Sequence, residues 1–237
     1  MTEQEILAYL EQDRVLRIDM IEGIRRGNAK VLYAAPDAVV LMKMDRFCLI
    51  VSDTVEAGER ALKTVPGHIC LFVAHNEPSR DAVFRTFPFI NHASACWQAY
   101  YPKKDPIPLP DVCEIRPFPL EQVPFLMSVY DPDGNPARYK ERVKQGDVLA
   151  AYKDGEIAGF IGFHGDGSGG MLEVLPKFRR LGIGSALEIA LHNLALSRGW
   201  TPYGQIYTTN DASRKLQESL GMVVSDGAIY WMHEQSV

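Results

Sequence analysis

The chain has 237 residues, 46% of them hydrophobic, and a formal net charge of −5. That is ample for one large or two small cores, and the acidic balance disfavours a general nucleic-acid surface, which calls for basic patches. No apolar run approaches the about 20 residues that cross a membrane, and the acidic start, with Glu3 and Glu5, is unlike a signal or transit peptide, so a cytoplasmic protein without a membrane or nucleic-acid partner is expected.

In chain order, residues 39–44 and 47–51 read as strands and a helix begins near Thr54. An apolar strand before His75 runs into Asn76-Glu77-Pro78-Ser79-Arg80, a polar helix start. The proline-rich piece 102–110 reads as an extended linker, because proline disfavours helix and stiffens the chain. A strand at 113–118 follows, then a helix over 121–130 with Val123, Leu126, Met127 and Tyr130 as its apolar positions, and a second helix over 136–145. Strands at 147–153 and 157–164 flank Asp154-Gly155, a strong hairpin signal. A strand at 171–175 ends at Pro176. The long helix after it carries Ile183, Leu187, Ala190, Leu191 and Leu194 at helical spacing, with Ser185, Glu188, His192 and Asn193 on the other side and Gly199 as its stop. A strand at 203–208, a helix opening at Asn210 and short strands at 222–225 and 228–232 complete the order. The cysteines at 48, 70, 96 and 113 sit in apolar, strand-like surroundings without paired spacing, and the six histidines never pair at ligand spacing; reduced core thiols and no metal are expected.

The turn Arg179-Arg180-Leu181-Gly182-Ile183-Gly184-Ser185 joins a strand to this helix. The first amides of a helix lack internal partners and point, with the positive end of the macrodipole, at whatever lies in front. An anion is stabilised there, and glycine at 182 and 184 removes β-carbons that would keep a phosphate away. A dinucleotide fingerprint needs a third glycine near 187 and an acidic residue about 20 positions on, where Leu187 and Thr201-Pro202 stand instead. A Walker loop needs a Gly-Lys-Ser/Thr ending, which is missing. On the turn alone, an ordinary packing turn and a phosphate cradle both remain open.

The surrounding order separates them. Leu172-Glu173-Val174-Leu175-Pro176 followed by Arg179-x-x-Gly182-x-Gly184 and an apolar helix resembles the coenzyme A pyrophosphate loop of the GNAT superfamily of N-acetyltransferases, whose signature is (Gln/Arg)-x-x-Gly-x-(Gly/Ala). Downstream, Asn210-Asp211-Ala212-Ser213-Arg214-Lys215-Leu216-Gln217, closing on Leu220-Gly221-Met222, resembles the second hallmark of that superfamily. The resemblance implies an α/β (α+β) GNAT fold, with a central mixed, mostly antiparallel sheet flanked by helices, in the order β-α-α-β-β-β-α-β-α-β-β from residue 113 on. Residues 68–80 also lie without a gap on 202–214, so that Asn76, Ser79 and Arg80 fall on Asn210, Ser213 and Arg214. This is read as a decayed duplication: a degenerate GNAT-like half at 1–112, without a glycine loop of its own, and a catalytic half at 113–237.

The resemblance implies direct acyl transfer from acetyl-CoA, or another acyl-CoA, to the amine of a small molecule or amino acid, in a monomer or homodimer and without metal. The amides of Leu181, Gly182, Ile183, Gly184 and Ser185 would hold the pyrophosphate, with Arg179 and Arg180 at the rim. Val174 and Leu175 would offer free backbone to pantetheine beside a bulge in their strand. Asn210 and Ser213 would contact the pantetheine arm or a phosphate, or would serve only as helix cap. Glu173 is the candidate base for the ammonium proton, with an outward-facing strand residue as the alternative. Many members place a tyrosine acid on the helix after the Asn motif; Gln217 fills that position here, which leans the resemblance toward the glycine N-acyltransferase-like branch and leaves Tyr207, or water, as substitute acid. A second reading is a non-catalytic acyl-CoA-binding sensor or scaffold.

Overall fold

The computed structural model describes residues 1–235, so the last two residues of the 113–237 half lie outside the described residues. Helix α1 (Glu3–Leu10) opens with a capping box in which Thr2 Oγ1 accepts from the Glu5 amide and Glu5 Oε2 accepts from the Thr2 amide. There follow α2 (Ile18–Arg25), β1 (Ala29–Ala35), β2 (Ala38–Lys43), β3 (Phe47–Ser52), α3 (Val55–Leu62), β4 (Leu71–Ala74), α4 (Glu77–Thr86) and β5 (His92–Tyr100). The chain continues through β6 (Glu114–Pro117), α5 (Val123–Tyr130), α6 (Pro136–Lys144), β7 (Val148–Lys153), β8 (Glu156–Phe163), β9 (Gly169–Val174), α7 (Ile183–Ser197), β10 (Tyr203–Tyr207), α8 (Asp211–Ser219), β11 (Val223–Val224) and β12 (Ile229–His233). From β6 onward this is the expected order.

By compactness the chain forms two units, Met1–Tyr100 with the chain from Gln205 on, and Tyr101–Gly204. The boundary expected at residue 112 rests on the sequence match between 68–80 and 202–214 and not on compactness. In the first unit the strands run β1-β2-β3-β4-β12-β5, with β11 also on β5. β12, from the far end of the sequence, lies antiparallel to both β4 and β5, and this pairing brings the last elements to the first hundred residues. β2 and β3 are buried along their whole length, which is why they read as near-continuous apolar runs. Leu10, Met20 and Ile21 cover one face of the sheet at Leu41, Leu49 and Val73; Ala61, Leu62 and Val83 cover the other at Ile50 and Phe72.

The second unit orders its strands β10-β9-β8-β7-β6, with only β9 and β10 parallel. Helices α5 and α6 pack Val123, Leu126 and Val143 against Val148 and Phe160 on one face. α7 packs Ile183, Leu187 and Leu191 against Ala158 and Ile161 on the other. Each unit is thus a mixed sheet flanked by helices.

Two details depart from the sequence reading. Cys70, just before β4, is exposed, whereas Cys48 and Cys96 are buried. The polar side of α7 is not a solvent face either: Glu188 is 7% and His192 5% exposed. The proline-rich segment is strapped to that side. Asn193 Oδ1 accepts from the Ile107 amide and its Nδ2 donates to the Ile107 carbonyl, both at 2.8 Å, and the Tyr101 ring stacks on His192 with centroids 6.3 Å apart.

Burial pushes the His192 imidazole from its ordinary 6.5 down to about 4. Between those values the unfolded chain binds a proton that the folded chain rejects, so this histidine makes stability fall as pH drops from about 6.5 toward about 4. Urea unfolding of the parent and of His192→Gln across that window should show the parent losing stability relative to the variant as the medium is acidified. Parallel curves would exclude a buried neutral imidazole.

Candidate functional site

Strand β9 carries the irregularity on which the site is built. Phe160 pairs with Glu173 and Gly162 with Gly170, which leaves two residues, Met171 and Leu172, opposite the single Ile161. This is a β-bulge, and Met171 enters the left-handed region at φ 54° to make it, a conformation uncommon for a residue with a side chain. No residue-level signal marks Met171 in the sequence; Gly169-Gly170 just before it is the cue that was there to read. On its other edge β9 pairs with β10 at Gly169 with Gly204, the one register pair between them among the described residues.

Past the bulge the backbone groups alternate in direction. The Leu175 amide donates to the Ala158 carbonyl and its own carbonyl accepts from the Phe178 amide, both at 2.9 Å. Leu175 is therefore committed at both groups and offers no free backbone, contrary to the sequence expectation. Val174, one residue earlier, turns its backbone away from β8, and its carbonyl accepts from Arg179 Nε at 3.0 Å. Its side chain packs toward α7, within 3.7 Å of where a β-carbon on Gly184 would stand.

The turn that follows is anchored at both ends by core residues, Phe178 and Ile183, while Arg179, Arg180, Leu181 and Gly182 are exposed. Arg180 and Gly182 are both left-handed, at φ 66° and 79°. Gly182 is the N-cap and supplies no side-chain acceptor, and the first helical bond is from the Ala186 amide to the Gly182 carbonyl. Among the described residues the amides of residues 180–185 consequently have no acceptor. Six successive donors at the positive end of a helix, flanked by two guanidiniums, suit an anion with several acceptor oxygens, such as a diphosphate.

Glu173 stands directly opposite Phe160 and so shares its face of the sheet. Phe160 meets Phe118 and Phe125 there, at ring centroid distances of 5.7 and 6.4 Å, so this is the face that α5 covers. The carboxylate is half-buried and has no hydrogen-bond or ion-pair partner among the described residues. Tyr207, in the first unit, is 61% exposed.

Asn210 and Ser213 also lie in the first unit, where the same unit contains their sequence counterparts. Asn210 Oδ1 caps α8 by accepting from the Ser213 amide at 3.0 Å, as Asn76 Oδ1 caps α4 by accepting from the Ser79 amide at 2.9 Å. Arg214 stacks on Trp97 and Arg80 on Tyr230, at 4.4 and 4.9 Å. The remaining polar atoms differ. Asn76 Nδ2 donates to the Ser52 carbonyl, and Ser79 Oγ accepts from the Ser52 amide, both at 2.8 Å, so that the end of β3 is sealed to the start of α4. β3 and β4 remain paired at three positions, Cys48 with Phe72, Leu49 with Val73 and Ile50 with Ala74. Asn210 Nδ2 and Ser213 Oγ have no partner among the described residues.

A bulged strand leads into a turn of unpaired amides and a long helix in an α/β protein. Residues 112–222 match the family model described as the acetyltransferase (GNAT) family. Solved structures with the same fold include a Drosophila protein, 16% identical over 99% of this chain and 97% of its own with a TM-score of 0.63. A GNAT-family putative acetyltransferase from Novosphingobium aromaticivorans is 16% identical over 95% and 99%, with a TM-score of 0.57. A GCN5-related N-acetyltransferase from Kribbella flavida is 12% identical over 94% and 96%, with a TM-score of 0.60. None of the curated proteins matches the sequence. The fold is thus that of GNAT N-acetyltransferases. Among the described residues, no group of three or more His, Cys, Asp or Glu could hold a metal ion, and no helix is long and apolar enough to cross a membrane.

The left-handed cap gives a direct test of the turn. A β-carbon on Gly182 would meet Val112 at an ordinary 3.7 Å, so Gly182→Ala should lose about 1–2 kcal/mol through backbone conformation alone. Urea unfolding reads the loss; an unchanged midpoint would mean that residue 182 is not held left-handed.

Proposed function

We propose that the protein is an N-acetyltransferase that moves the acetyl group of acetyl-CoA directly to a primary amine of a small molecule or amino acid. The reading is carried by the six successive amides without acceptors at residues 180–185, at the end of a bulged strand. These amides, with Arg179 and Arg180, would hold the coenzyme's pyrophosphate. The Val174 amide would pair with the pantetheine arm or polarise the thioester carbonyl as negative charge builds on its oxygen. Asn210 Nδ2 and Ser213 Oγ would reach the arm or a phosphate.

An amine with a pKa of about 10 arrives protonated at neutral pH, and Glu173, half-buried without a partner on the α5 face, would take that proton. The freed nitrogen attacks the carbonyl carbon, the C–N bond forms as the C–S bond breaks, and the proton that the nitrogen sheds is balanced by the one the departing thiolate takes up, relayed through Tyr207 or water. Gln217 brings no acid to the step: it is buried and its Oε1 has no partner. Gln217 is also what inclines the chain toward the glycine N-acyltransferase-like branch, and it is the observation that favours the second reading, a non-catalytic acyl-CoA-binding sensor or scaffold.

The first half is proposed to be a decayed copy of the same fold. The parallel caps at Asn76 and Asn210 and the stacked Arg80 and Arg214 support common origin. The hydrogen bonds that seal Ser52 to Asn76 and Ser79 support the loss of coenzyme binding there.

Thiol release from acetyl-CoA in the presence of amines, amino acids and peptides decides between enzyme and sensor. At least one acceptor should raise release well above hydrolysis; intact coenzyme binding with no responsive acceptor would favour the sensor. Gly184→Glu sets bulk and negative charge against the pyrophosphate and should abolish acetyl-CoA binding by calorimetry. Unchanged affinity would refute the assigned turn.

A further inference from the structure

A second polar constellation in the same unit is used by none of the roles above. Arg138 and Arg142, one turn apart on α6, line a cavity of about 20 Å³ together with Tyr139, His164 and Met171. Met171 is the bulge residue of β9, two positions from Glu173. The His164 ring lies directly against β9 at Gly170, where a β-carbon would come within 2.2 Å of Nε2, so glycine at 170 is what admits the ring.

Three guanidiniums and three carboxylates lie around this cavity, and they are unevenly paired. Arg142 donates to Asp147 at 3.0 Å, but Arg198 takes the other oxygen of the same carboxylate at 2.6 Å. Asp131 accepts from the Tyr139 hydroxyl, and Asp166 accepts from the amide and hydroxyl of Ser168. Arg138 is exposed and has no ion-pair partner among the described residues. Burial holds His164 below its ordinary range, with Asp166 opposing and the two guanidiniums adding to the effect. Arg138 is therefore the guanidinium without a direct carboxylate partner among the described residues, beside an imidazole that burial disfavours as a cation, while the carboxylates of Asp131 and Asp166 lie nearby.

We propose that Arg138, supported by Arg142 and His164, forms a subsite for a carboxylate, and that the acceptor is accordingly an amine that carries a carboxylate group. Arginine presents paired donors that match a carboxylate's two oxygens, and one guanidinium without an ion-pair partner among the described residues matches a singly charged head. Its place on β9 sets the bound head beside the strand that also carries Glu173. The acceptor part of this inference rests on the transfer reading, whereas the carboxylate site does not.

Two measurements separate them. In the first, the His164 ring signals are followed by NMR during titration with acetate or with acetamide at matched ionic strength. Acetate should move them and acetamide should not, and Arg138→Gln should remove the response while Arg138→Lys retains part of it. In the second, thiol release from acetyl-CoA is compared for amino acids and their α-amides. The acids should be favoured by about tenfold or more, as expected for one charge-assisted contact, with Arg138→Gln raising KM for the acids and leaving the amides unchanged. Signals of His164 that ignore acetate, or an Arg138→Gln effect equal for acids and amides, would overturn the proposal. An acetate response that depends on Arg138, with no amine accelerating thiol release, would keep the carboxylate site and sink the transfer reading alone.

Discussion

Unpaired main-chain nitrogen is the constraint on which the site depends. Residues 180–185 leave a continuous run of amides with no acceptor among the described residues, and at 183–185 these are buried or half-buried, where an amide is ordinarily paired. The run exists because Arg180 and Gly182 are left-handed and because Gly182, as N-cap, has no side chain to satisfy the helix. Phe178 and Ile183 hold the two ends of the turn in the core, so the donors are fixed before any ligand arrives. Pre-set donors of this kind lose little on binding, which is what makes a helix start an effective anion grip.

Two helix starts in the first unit use the same cap with different surroundings. In the first unit β3 and β4 stay paired and Ser52 is bonded to both Asn76 and Ser79. At α8, Asn210 makes the same cap, but its remaining donor, like the Ser213 hydroxyl, has no partner among the described residues. A cap residue thus has two separable duties. One Asn oxygen caps the start of a helix in both places, while the amide nitrogen either closes the strand beside it or has no partner among the described residues.

Much of the fold was legible from residue 113 on, because there the local signals agree with one another. Asp154-Gly155 marks a hairpin, Pro176 ends a strand, and the 183–194 apolar spacing gives a helix that packs Ile183, Leu187 and Leu191 on the sheet. Less was legible where pairing is distant. β5 mixes His, Ser, Gln and aromatic residues without a clean period and becomes a strand through β12, which lies more than a hundred residues away. The strap at 102–110 reads as an extended linker because prolines dictate its conformation, but its attachment depends on a single amide, Asn193, far along the chain.

The sequence by itself determined the order of elements after residue 113, the glycine turn and the helix caps, since each follows from backbone preference within a few residues. Tertiary structure alone decided that Leu175 is committed and Val174 turned away, that Met171 bulges, that Glu188 and His192 are buried, and that Arg138 and His164 share a cavity. Those outcomes depend on strand register and on which helix face is covered. Both are set by contacts between residues distant in the chain, which local preference does not encode.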